Sequence, residues 1–150
     1  MILIAHRGNI SGPNKDLENN PDYLLRALDL GYSVEIDVWY INNTFLLGHD
    51  FPVYEVEEKF LMNERIWCHA KNLNSLEKML LNSKIHCFWH QTDDYTITSK
   101  GYIWAYPGKK IGKNTICVMP ENTDYNNSRS DYVGVCSDFV EKYLTDEILK

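Results

Sequence analysis

The sequence lacks any run of about 18 apolar residues, so no hydrophobic helix of membrane-spanning length is expected. Met1 leads directly into Ile2-Leu3-Ile4-Ala5, a run too short for a secretory segment and without a basic start, so the expected location is cytoplasmic. Cationic clusters are also missing. Fifteen basic residues face 21 acidic ones, the net charge is -6, and Lys109-Lys110 is the sole adjacent basic pair. A phosphate backbone needs clustered cations, so nucleic acid is not an expected partner. The four cysteines, Cys68, Cys87, Cys117 and Cys136, contain no C-x-x-C, which argues against a zinc knuckle. Each lies inside an apolar run and reads as a buried free thiol. Internal repeats and low-complexity segments are absent, and one domain over residues 1–150 is expected.

What is present is enough apolar material for a core. Hydrophobic residues make up 44% of the chain, with 10 Tyr, 4 Trp and 5 Phe. Ile2 to His6 reads as a buried strand, followed by an Asn/Gly/Pro-rich loop. Pro21 to Leu30 has helical spacing of apolar residues, proline at its start and Gly31 past its end. Val34 to Tyr40 is the next strand, completing a βαβ unit that favours a parallel sheet. Thr44–Leu47 is a short return strand. A connection follows, with a helix expected within Val53–Met62, then a strand at Ile66–Ala70 and a helix at Leu73–Leu81. Further strand-like runs cover 86–90, 95–98, 102–106, 115–119 and 132–136, and a closing helix is expected over Phe139–Leu149. Leaving out the return strand, eight such runs, the first of them separated by helices, predict a compact (β/α)8 TIM-like barrel with several outer helices lost in the C-terminal half.

Alternation in the second strand places Glu35 and Asp37 on one face and Val34, Ile36 and Val38 on the other. Two neighbouring carboxylates on a buried face need a cation or a proton between them. His6, Arg7, Glu35, Asp37, His49, His69 and Lys71 all fall at or just past the ends of strand-like runs, the active-site face of a parallel barrel. His90 ends the fourth run and is a candidate for lining the same pocket, whereas His86 begins that run and reads as structural.

The string His6-Arg7-Gly8, then Glu18-Asn19, Glu35-Ile36-Asp37 and His49-Asp50, resembles the glycerophosphodiester phosphodiesterase family within the phospholipase-C-like phosphodiesterase barrels. Val133-Gly134-Val135-Cys136-Ser137-Asp138 is similar to the last strand of that family. The resemblance implies hydrolysis of a small phosphodiester, such as a glycerophosphodiester or a lysophospholipid headgroup, and a role in lipid metabolism. It implies a divalent metal held by Glu35 and Asp37, phosphate contacts from Arg7 and Lys71, and His6 and His49 as base and acid. Glu18, Asp50 and His90 would support them. His69-Ala70-Lys71 stands where the family has E-x-K, so His69 replaces a carboxylate ligand. Magnesium or calcium is the expected ion, with manganese or zinc admitted by His69. Pro120-Glu121-Asn122-Thr123 repeats an early family string out of place and reads as a loop. Two alternatives carry different chemistry: a barrel that binds phosphorylated ligands with little turnover, and a lyase that forms a cyclic phosphate.

Overall fold

A computed structural model describes residues 1–123 and 131–144. Ten strands form one sheet: β1 (Ile2–His6), β2 (Ser33–Ile41), β3 (Thr44–Leu47), β4 (Tyr54–Val56), β5 (Ile66–Ala70), β6 (Cys87–Phe88), β7 (Tyr95–Ile97), β8 (Ile103–Ala105), β9 (Thr115–Val118) and β10 (Gly134–Ser137). Among the described residues three α-helices accompany them: α1 (Pro21–Asp29), α2 (Glu58–Leu61) and α3 (Leu73–Leu80). The Asn20 side chain caps α1, and a capping box between Asn72 and Ser75 starts α3.

Seven strands run parallel in the order β6-β5-β2-β1-β10-β9-β8, which gathers their C-terminal ends on one edge. Three antiparallel strands are added: β3 on the far end of β2, β4 on β3, and β7 on β8. The sheet curls until Ser99 N–H donates to the Cys87 carbonyl, 2.8 Å, and the Cys87 N–H to Ser99 Oγ, 2.9 Å. No strand ladder joins those ends among the described residues.

This overturns the expected (β/α)8 TIM-like barrel. The sheet is a curled, mixed half-barrel and 21% of the described residues are helical. The physical reason is connection length. A parallel crossover with a helix needs a dozen or more residues. Between β7 and β8 only residues 98–102 are available, so those strands can only form a hairpin. Residues 106–114 carry the chain from β8 to β9 as a loop. The helix expected within Val53–Met62 is reduced to α2, because Tyr54–Val56 pairs with β3 as a strand. Of the helix expected over Phe139–Leu149, Val140–Tyr143 is a 3₁₀ turn, and residues 145–150 lie outside the described residues.

Period-2 alternation divides the core in two. Ile4, Trp67, Phe88, Trp104, Ile116, Val118 and Cys136 fill the inside of the curl. Leu24, Leu28, Val34, Ile36, Val38, Cys68 and Met79 belong to the cluster packed between sheet and helices. All four cysteines are buried and outside any disulfide. No helix among the described residues is long and apolar enough to cross a membrane.

Candidate active site

The parity that directs Ile4, Trp67 and Phe88 inward also directs His6, Glu35, Asp37 and His69 inward, one step nearer the strand ends. Strand register then sets them side by side. His6 is opposite Glu35 on β1 and β2, and Asp37 is opposite His69 on β2 and β5. The apolar cluster becomes the floor beneath two buried carboxylates, Glu35 at 2% and Asp37 at 0% exposure.

Asp37 is the better satisfied of the two. Its Oδ2 accepts from Asn19 Nδ2 at 2.9 Å, and its backbone N–H donates to Asn19 Oδ1 at 2.8 Å. Arg7 Nε lies 3.0 Å from the same Oδ2. That contact is an ion pair off the N–H direction, since Arg7 Nε makes no hydrogen bond. The other oxygen, Oδ1, has His69 Nδ1 and Lys71 Nζ each at 3.4 Å. Burial would raise the Asp37 carboxyl, but His69, Arg7 and Lys71 outweigh it and hold the group far below the usual carboxylate range. Glu35 has less support. Its Oε1 is 3.6 Å from His69 Nδ1 and its Oε2 is 3.9 Å from His6 Nε2.

Glu35 Oε2 and Asp37 Oδ1 are buried and lack any hydrogen-bond partner. Buried polar atoms are ordinarily satisfied. Glu35, Asp37 and His69 each offer one ligand atom within 4.8 Å of the others, so orphaned acceptors and donor set both fit a divalent cation. The His69 ring is fixed on its other side: Nε2 donates to the His90 carbonyl at 2.7 Å, and the ring stacks on Phe88 at 5.2 Å with a 6° tilt. In the ion-free protein burial pulls the His69 imidazole down, while Asp37 and Glu35 push it up to about 9.

His6 pairs through Nδ1 with Asp138 Oδ1, 2.8 Å away. Burial lowers this imidazole, but the bond to Asp138 and the charge of Glu35 leave it raised. Asp138 is lowered despite its burial, chiefly through His6. Asn9 Nδ2 donates to Asp138 at 2.8 Å and to Glu18 Oε1 at 3.0 Å, and Glu18 Oε2 accepts from Arg7 Nη1 at 3.1 Å. A chain of polar contacts therefore runs His6–Asp138–Asn9–Glu18–Arg7–Asp37. Arg7 has φ +52°, a conformation uncommon for a residue other than glycine, at the turn out of β1.

Not all expected residues meet at this point. His49 pairs with Asp50, 2.7 Å from Nδ1 to Oδ1, and shares with Arg7, Lys15, Glu18 and Tyr54 a cleft of about 430 Å³ beside the acidic pair. The structure records no contact between His49 and Glu35, Asp37 or His6. The His90 ring turns to Asp93, 2.8 Å away, and it is the backbone carbonyl of His90 that serves the site. His86 lies on Trp67 with its Nε2 2.8 Å from Thr98 Oγ1.

Four residues escaped the sequence reading as members of the site: Asn9, Asn19, Glu121 and Asp138. Asp138 obeys the strand-end rule that found the others, one residue past β10. Asn9 follows the H-R-G string and Asn19 follows Glu18, so both lay beside the motifs. Glu121, read as part of a chance string, accepts from Ser137 Oγ at 2.8 Å and from the Asp138 N–H at 2.9 Å. No family model matches the chain, and no match is found among curated proteins or solved structures.

Proposed function

We propose that the chain is a metal-dependent phosphodiesterase of the glycerophosphodiester phosphodiesterase kind, acting on a small phosphodiester such as a glycerophosphodiester or a lysophospholipid headgroup. The observation that carries this reading is the pair of orphaned oxygens, Glu35 Oε2 and Asp37 Oδ1, buried above an apolar floor beside His69. A divalent ion held by Glu35, Asp37 and His69 would supply Lewis-acid charge to a phosphate oxygen. Arg7 and Lys71 lie on the same carboxylate and add cationic charge for the phosphate. His6 and His49 divide the two proton transfers. One imidazole accepts the proton of the attacking hydroxyl, and the other donates a proton to the leaving alkoxide. Each ring is oriented by a carboxylate on Nδ1, Asp138 for His6 and Asp50 for His49. That leaves Nε2 of each for proton exchange.

A second reading is a domain that binds phosphorylated ligands without turning them over. The position of His49 favours it, its side chain 40% exposed and paired with Asp50 outside the acidic cluster. Turnover of a panel of glycerophosphodiesters and lysophospholipids, each with magnesium, calcium, manganese and zinc, separates the two. The phosphodiesterase reading requires turnover with at least one ion, and its loss in both His6→Ala and His49→Ala. Phosphorus NMR of the product distinguishes a hydrolysed monoester from a cyclic phosphate made by a lyase.

A further inference from the structure

The imidazole in the acidic cluster bears on which ion the site takes. His69 Nε2 is 2.7 Å from the His90 carbonyl oxygen, which can only accept. Nε2 therefore carries the hydrogen, and in the neutral ring the lone pair is on Nδ1. That atom lies 3.4 Å from Asp37 Oδ1 and 3.6 Å from Glu35 Oε1. Adjacent ligands of one ion at bond lengths of about 2.0–2.2 Å sit roughly 3.0–3.6 Å apart, so Nδ1 already has ligand spacing to both carboxylate oxygens. The Phe88 stack and the His90 carbonyl hold the ring in that orientation before any ion arrives.

The rest of the cluster offers little to a hard cation. Calcium and magnesium favour oxygen donors and net negative charge. Here the third donor is neutral nitrogen, and the charge of Asp37 is partly offset by Arg7 at 3.0 Å and Lys71 at 3.4 Å. Imidazole nitrogen instead favours first-row transition ions. We infer that His69 is a direct Nδ1 ligand that makes this site select a first-row transition ion, cobalt or zinc above manganese, over magnesium and calcium. The inference rests on the reading of the cluster as a metal centre and adds the class of ion.

The test is binding, independent of turnover. Protein stripped with chelator is titrated calorimetrically with Mg²⁺, Ca²⁺, Mn²⁺, Co²⁺ and Zn²⁺ at one pH. Cobalt and zinc should bind at least about 100-fold tighter than magnesium and calcium, and His69→Glu should narrow that ratio at least about tenfold. Pulsed EPR of the Mn²⁺-loaded wild-type protein should show nitrogen coupling from a coordinated imidazole, and His69→Glu should lose it. Magnesium or calcium binding within about tenfold of cobalt and zinc overturns the inference, as does absent or His69-independent nitrogen coupling. Those results leave a metal-dependent phosphodiesterase intact. If none of the five ions binds, the metal centre itself fails, and the inference with it. The wild-type measurements decide the question even if the variant fails to fold.

Discussion

Glu35 and Asp37 are two residues apart on one strand face, yet removing charge from each should have opposite effects on stability. Asp37 is the anion that three cationic groups share, with Asn19 bonded to it twice. Asp37→Asn would leave Arg7, Lys71 and His69 crowded without it. Breaking a buried pair in this way costs about 3–5 kcal/mol. Glu35 has one oxygen with no hydrogen-bond partner. Glu35→Gln should leave the chelator-treated protein as stable as wild type, or more stable by up to about 1 kcal/mol, because functional sites store such strain. Both variants should lose turnover and ion binding. Urea denaturation of the stripped proteins checks the contrast, and equal destabilisation by the two changes would refute it.

His86 gives the pH dependence least entangled with the site. Burial, and secondarily Lys100, lowers its imidazole from 6.5 to about 4 in the folded protein. The sign follows. Between those values the unfolded chain takes the proton first, so acidification favours unfolding. The wild type should therefore lose stability as pH falls from 6.5 to about 4, with the His86 share complete below that. At 1.36 kcal/mol per pKa unit that share is at most about 3 kcal/mol, and partial solvent access reduces it. Carboxylates contribute over the same range, so the measurement is the difference between wild type and His86→Gln. That difference should shrink on acidification, and a constant difference across the window would contradict the assignment.

At the level of elements, strand ends were the legible part. Period 2 assigns Glu35 and Asp37 to one face and the strand-end rule adds His6 and His69; the structure puts all four on one face because the same alternation must bury Val34, Ile36, Val38 and Cys68 behind them. The number of helices was not legible by counting strands. The connections in the second half decide that, and residues 98–102 are too few for a crossover. The strand-end rule could have found Asp138, one residue past β10, but its pairing with His6, 132 positions away, is encoded by no local pattern.

The loop after β3 illustrates how one residue can set an element. Gly48 has φ +149°, and a Cβ there would lie 2.0 Å from the Phe51 carbonyl oxygen. The Gly48 carbonyl accepts from Trp39 Nε1, and its N–H donates to the Asp37 carbonyl, which ties the His49 loop to β2. Gly48→Ala should cost about 1–3 kcal/mol and displace His49. Turnover should fall by more than ion binding, since the clash falls on Phe51 in the loop, while Glu35, Asp37 and His69 are held in their strands and Gly48 touches Asp37 only through the backbone. Calorimetry beside kinetics checks this, and an equal fall in both would show that the loop is not a separate support for His49.

At the scale of the molecule, the site cannot be assigned to one half of the chain. His6, Glu35, Asp37 and His69 come from the first seventy residues, but the last strand, β10, is wedged between β1 and β9 and delivers Asp138 to His6. The floor under the acidic pair is equally divided, with Trp67 and Trp104 6.0 Å apart and Phe88 4.6 Å from Trp104. A sheet whose first strand pairs with its last gains its core only when distant segments meet, so a fold of this size should unfold as one unit. Fluorescence of Trp67 and Trp104, read with Trp39 and Trp89 replaced by Phe, reports the floor, and ion binding reports the acidic cluster. Their urea midpoints should coincide within error. An ion-binding midpoint distinctly above the fluorescence midpoint would mean that β1, β2 and β5 hold the cluster together by themselves. The second half of the chain would then be an accessory to the site and not part of its frame.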